Sequence, residues 1–293
     1  MRAGAPAHTE ERHVQPVPQP VAVNGPPVVV GVDGSPDATR AVVWAAEEAA
    51  RRRRPLRLLS ALPAHGVHSA FLVADAAEEA QRVVPGVAVS TAVVDSAPVA
   101  ALLEAARDAG LLVVGSRGLG PLRGLLLGSV SAAVIENSAC PTVVVRGSRI
   151  PTASDPVVVG VDGTPATDAA VGFAFATADR EGVPLVAVHV RRDVLEDPEW
   201  WSMREDDGDV PQAELLAERL AGWCSEYPDA EVVRHLPVGH PIRALVDMSS
   251  RARLLVVGSH RRRGLDRLGS VGRAVLYRAH CPVAVVPVAG PPR

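Results

Sequence analysis

Apolar residues in this chain gather in short β-branched or Leu-rich runs, and between the runs they recur at helical spacing. Four of the six residues over 28–33 are Val, which suits a parallel strand buried on both faces. Ser35, Pro36 and Asp37 follow with the chemistry of a helix start, a hydroxyl N-cap and a proline at the first helical position. That helix is expected to run to about residue 54 and stop before Pro55, with Arg51, Arg52, Arg53 and Arg54 complementing its dipole. Further strands are expected at 56–62, 87–94, 111–115 and 142–145, and further helices at 74–84, 98–109 and 129–137. This alternation points to an open parallel α/β sheet with helices on both faces.

The pattern then repeats. The stretch Val-Val-Val-Gly-Val-Asp-Gly begins at Val28 and again at Val157. Leu-Leu-Val-Val-Gly-Ser begins at Leu111 and again at Leu254, and Gly-Ser-Val opens a late helix at Gly128 and again at Gly269. The order is the same in both halves, so the chain is a duplicated domain of about 120–135 residues rather than a short solenoid repeat. The reading is a Pro/Ala-rich disordered tail over 1–26, a first domain at 27–147, a linker at 148–155 and a second domain at 156–288. Only the second half carries an acidic, aromatic insertion, with Trp200 and Trp201 at its centre; an interaction loop and a lid on its own module are equally compatible with it.

Composition narrows the chemistry. At 47% hydrophobic and 22% charged, the chain can bury real cores. A net charge of −3 gives no reason to expect nucleic acid or an anionic membrane as partner. All 30 basic residues are arginine, which excludes Schiff-base chemistry and the lysine-containing P-loop. The 3 cysteines, Cys140, Cys224 and Cys281, form neither a disulfide framework nor a metal pattern with the histidines, and they suit a reducing cytoplasm. Cys140 and Cys281 each precede a proline at equivalent positions and read as buried packing residues. Neither a signal peptide nor a membrane span is expected.

The candidate chemistry sits at strand ends. Asp33 closes the first strand, and Gly115 closes the fourth. Gly118 lies in the loop beyond, and Gly128 and Ser129 open the helix that follows. Glycines let a backbone approach a bulky anion and allow positive φ, and a helix N-terminus supplies amides and a hydroxyl. Together they make a phosphate cradle without lysine. Asp33 would repel phosphate, so it reads as an acceptor for a base or ribose.

The segment Gly115-x2-Gly118-x9-Gly128-Ser129, with the Gly-Val-Asp-Gly-Ser strand end, resembles the universal stress protein family, first over 28–146 and again over 156–287. The resemblance implies two tandem Rossmann-like domains, each an open five-stranded sheet of order 3-2-1-4-5, joined through their last strands. It implies ATP as ligand, with or without Mg2+. Asp33 and Ala61 would lie beside the adenine, and Gly115, Arg117, Gly118, Gly128, Ser129, Val130 and Ser131 would line ribose and phosphates. The second module keeps Asp162, Gly258, Gly269 and Ser270, but Arg261 replaces the middle glycine and the loop is shorter. A weakened or lost second site is expected. The implied function is a nucleotide-dependent stress-response module, with a homodimer as the expected assembly. The alternatives are a slow ATPase and a nucleotide-free interaction scaffold. The first-strand turn is not the dinucleotide fingerprint of dehydrogenases.

Overall fold

A computed structural model describes residues 25–61, 66–118, 127–147, 149–191, 212–259 and 268–288. Residues 1–24 of the expected 1–26 tail, the insertion around Trp200 and Trp201, and Arg261 lie outside these residues.

In the first module, strands β1 (Val28–Gly31), β2 (Leu56–Ala61), β3 (Val89–Val94), β4 (Leu111–Gly115) and β5 (Thr142–Val145) alternate with helices α1 (Pro36–Arg52), α2 (Gly66–Val83), α3 (Pro98–Ala105) and α4 (Ser129–Asn137). Helix α1 starts as its sequence dictates: the Ser35 side chain accepts from the Ala38 amide, and Pro36 follows it. It ends two residues earlier than expected because Arg53 turns into the left-handed region and caps it there. Helix α2 begins eight residues before the expected 74, at Gly66.

The second module repeats the plan with β6 (Val157–Gly160), α5 (Asp168–Glu181), β7 (Leu185–Val188), α6 (Gln212–Glu226), β8 (Val232–His235), α7 (Pro241–Ser249), β9 (Leu254–Ser259), α8 (Ser270–Arg278) and β10 (Val283–Pro287). A short 3₁₀ turn at Pro165–Thr167 precedes α5.

Strand order is β3-β2-β1-β4-β5-β10-β9-β6-β7-β8, a single ten-stranded sheet. Each half has the expected 3-2-1-4-5 order, and all pairs within a half are parallel. The halves meet where β5 and β10 pair antiparallel, with Val143 opposite Ala284. Helices α1, α2, α5 and α6 cover one face over a continuous apolar layer, and α3, α4, α7 and α8 cover the other. Because the central strands are buried on both faces, their unbroken Val and Leu runs are what this architecture needs.

The linker is tied down at both ends. Gly147 takes φ +76°, and a Cβ there would lie 2.2 Å from the His280 carbonyl oxygen. Asp155 accepts from the Thr152 amide at 2.5 Å and pairs with Arg149 at 2.8 Å. Among the described residues no helix is long and apolar enough to cross a membrane.

Candidate functional site

The crevice lies at the carboxyl ends of β1 and β4, where the strand order of module one reverses, the place at which open α/β sheets bind ligands. Gly31 pairs opposite Leu59, so Asp33 and Ala61 stand level with each other just past that pair. Ala61 is buried and belongs to the layer under α3 and α4.

Asp33 has local work as well. Its Oδ1 accepts from the Ser35 amide at 2.9 Å, which fixes the turn into α1. Gly34 between them has φ +82°, and a Cβ on it would sit 2.8 Å from a Leu72 methyl. Asp162 and Gly163 repeat this turn in module two, with Thr164 donating to Asp162 through both amide and hydroxyl.

The three motif glycines serve different ends. None of them has positive φ, so conformational freedom is not their reason; that role belongs to Gly34 and Gly163. A Cβ on Gly115 would meet the Asp37 backbone carbonyl carbon at 2.7 Å, so this glycine lets β4 touch the first turn of α1. A Cβ on Gly118 would fall 2.4 Å from Asp33 Oδ2. Here the loop backbone closes directly over the carboxylate. Among the described residues a Cβ on Gly128 would meet nothing closer than 3.6 Å, and its amide, expected to be free for an anion, donates instead to the Ser116 carbonyl at 2.8 Å and draws the two ends of the loop together.

Beyond Gly128 the helix N-terminus opens. Gly128 brings no side chain to cap α4, which leaves first-turn amides without an intrahelical partner. Ser129 is exposed at this end, while Val130 leans into the core under the helix. Ser131, expected to line the ligand, is buried instead, and its hydroxyl donates to the Gly115 carbonyl at 2.8 Å. It anchors α4 to the end of β4.

Asp37 was legible in sequence only as part of a helix start, yet it organises the root of the glycine loop. Its Oδ2 accepts from the Ser116 hydroxyl at 2.5 Å and lies 3.5 Å from Arg117 Nε. Its Oδ1 pairs with Arg40 at 2.5 Å. Burial opposes ionisation of Asp37, but the Ser116 hydroxyl and the Arg40 and Arg117 guanidiniums outweigh it and hold the carboxyl below its ordinary value. Arg117 stays largely exposed beside the loop, and its carbonyl accepts from Ser35. The signal for this hub lay in the repeat itself. Asp37, Arg40 and Arg117 become Ala166, Ala169 and His260 in the second half.

Module two keeps the frame but not the details. A Cβ on Gly258 would lie 3.3 Å from the Ala166 carbonyl oxygen, looser than at Gly115. Gly269 caps α8, and Ser270 is exposed at its start. Gly272 stands where module one has Ser131, and a Cβ there would lie 2.7 Å from a Leu268 methyl. His189 is buried and bridges the Val161 carbonyl and Gln212 at 2.8 and 2.6 Å.

Cys140 and Cys281 are both buried at the heads of their last strands, and burial pushes the Cys281 thiol up to about 12. Among the described residues no group of three or more His, Cys, Asp or Glu side chains could hold a metal ion.

A model of the universal stress protein family matches residues 26–146 and 154–287. A universal stress protein of Mycolicibacterium smegmatis is 38% identical over 88% of this chain and 96% of its own length. A solved universal stress protein of Archaeoglobus fulgidus has TM-score 0.69 at 20% identity, covering 90% of this chain and 98% of its own. A universal stress protein solved in complex with cAMP is 35% identical over 42% of this chain and 97% of its own, with TM-score 0.37.

Proposed function

The chain belongs to the universal stress protein family, with two tandem copies of its domain, and from that premise we propose that module one (27–147) binds ATP and serves as a nucleotide-dependent regulatory module. The observation that carries the reading is the closure of Gly118 over Asp33, a cradle that any side chain at 118 would fill. It brings an acceptor for base or ribose and a glycine loop into one crevice, with the open N-terminus of α4 beside it. Asp33 and Ala61 would flank the adenine. Arg117, Gly118, Gly128 and the first turn of α4 from Ser129 to Val130 would follow ribose and phosphates. Gly115 and Ser131 would support them from behind. Any Mg2+ would reach the site on the phosphates, held by them and by water.

Occupancy then biases a conformation or an assembly by its differential affinity for two states. In this reading the protein works in the cytoplasm, in a stress response, and pairs as a homodimer. Module two (156–288), joined by the linker 148–155, keeps Asp162, Gly258, Gly269 and Ser270 and binds nucleotide weakly or not at all, because the Asp37 hub is missing from it.

Quantifying nucleotide released on denaturing natively purified protein tests the reading. About one ATP per chain is expected. Two equally tight sites would refute the asymmetry. No nucleotide, and no affinity on adding ATP, would leave an interaction scaffold.

A further inference from the structure

A cleft of about 780 Å3 opens where the chain leaves module one and α8 ends. Arg146 and Arg149 line it from the segment after β5, Ser250 from the end of α7, and Tyr277, Arg278 and His280 from the end of α8. Among the described residues, none that lines it is acidic. It contains none of the residues of the nucleotide crevice, and it is of small-molecule size, within roughly 300–1,000 Å3.

The charge in this cleft is only partly answered from within the protein. Asp155 pairs with Arg149 at 2.8 Å. Arg146 has no carboxylate partner among the described residues: its Nη2 donates to the Tyr277 carbonyl at 2.9 Å, and its buried Nε and Nη1 meet no acceptor. Burial, with Arg117 nearby, holds this guanidinium below its ordinary pKa. Arg278 and His280 add exposed donors at the rim.

One ordinary explanation is that cations cap the negative ends of α7 and α8. The duplicated fold argues against it. At the pseudo-equivalent positions Pro287 stands for Arg146, Asn137 for Arg278 and Ala139 for His280. Helix α4 ends without a basic residue in its last turn. The fold therefore does not require this charge, which both halves bring to a single inter-module cleft.

We propose that this cleft binds a small, multiply charged phosphate compound between the modules. Arginine suits that ligand because its guanidinium offers several donors in a plane and remains charged when partly dehydrated. A ligand held there touches the linker through Arg149 and module two through Arg278 and His280, with the buried guanidinium of Arg146 from module one behind it. It would stabilise the relation between the two halves. The proposal goes beyond the ATP reading and does not depend on it.

Isothermal titration of the full chain with pyrophosphate tests it, on the wild type, on an Arg278→Ala/His280→Ala double variant and on Gly118→Val. Both residues of the double variant are exposed, so its melting temperature without ligand should equal that of the wild type. The expected result is a wild-type site that weakens at least about tenfold in the double variant and survives in Gly118→Val. No binding by the wild type would overturn the proposal. So would equal binding by the double variant. Loss in Gly118→Val alone would also overturn it, by assigning the phosphate to the nucleotide crevice.

Discussion

Arg180 of the second module reaches Glu48 of the first, with Nη1 3.1 Å from Oε1, although 132 residues separate them in the chain. Glu48 is only 1% exposed, and Arg52 holds the same oxygen at 2.5 Å. Glu181 pairs with Arg253 nearby, and Arg52 also lies over the Phe173 ring at 5.0 Å. Helices α1 and α5 therefore meet through buried charge as well as apolar surface.

A buried ion pair becomes costly when one partner is lost, because the other charge stays out of water. Glu48→Ala should destabilise the protein by about 3–5 kcal/mol in urea unfolding. Adding Arg180→Met to Glu48→Met should recover part of that loss. A single-variant cost below about 1 kcal/mol, typical of an exposed pair, would show that the network contributes little.

Gly118→Val should empty the nucleotide crevice and leave the fold intact. The new side chain meets a carboxylate at the loop rather than core backbone. Nucleotide retained on native purification should fall to background while the melting temperature of the ligand-free protein stays put. Retention at the wild-type level would remove Gly118 from the site.

The two strand-end glycines should respond unequally. Gly115→Ala pushes a methyl into the Asp37 backbone at 2.7 Å, whereas Gly258→Ala meets its nearest atom at 3.3 Å. Overpacking of the first kind costs about 1–3 kcal/mol. Chemical denaturation of both variants should rank Gly115→Ala as clearly the worse, and equal costs would contradict the tighter contact in module one.

Asp37 should leave a mark on acid stability. Its folded value lies below the ordinary 3.8, so its contribution is complete above 3.8 and is lost as pH falls through the folded value. Asp37→Asn should therefore show a shallower fall in stability than the wild type below pH 3.8. Parallel curves would mean that Ser116, Arg40 and Arg117 do not depend on its charge.

The thiols should separate by burial. Cys224 is partly exposed, while Cys140 and Cys281 are buried and burial raises both of their pKa values. A thiol reagent at neutral pH should label Cys224 first and the other two only on unfolding. Rapid labelling of Cys281 in the folded protein would count against its buried position.

By itself the sequence determined the elements, the duplication and the motif positions. Continuous Val and Leu runs such as 111–115, alternating with helical segments, suit strands buried between two helical layers, and Ser35 and Pro36 carry their helix start in their own chemistry. Helix ends were less legible: Arg53 takes a left-handed conformation that no propensity assigns to arginine, and α2 starts at Gly66, a residue that carries no helix-start signal. What only the tertiary structure decided is how residues far apart in sequence share space. Gly118 lies over Asp33, Ser131 turns back to Gly115, and Asp37 gathers Ser116 and Arg117 across 79 residues. The two sheets likewise become one only because β5 and β10 satisfy each other's edges. A linear pattern records which side chains are apolar and which positions tolerate no Cβ. The atom that occupies the vacated space is set by packing, and packing exists only once the strands are in register.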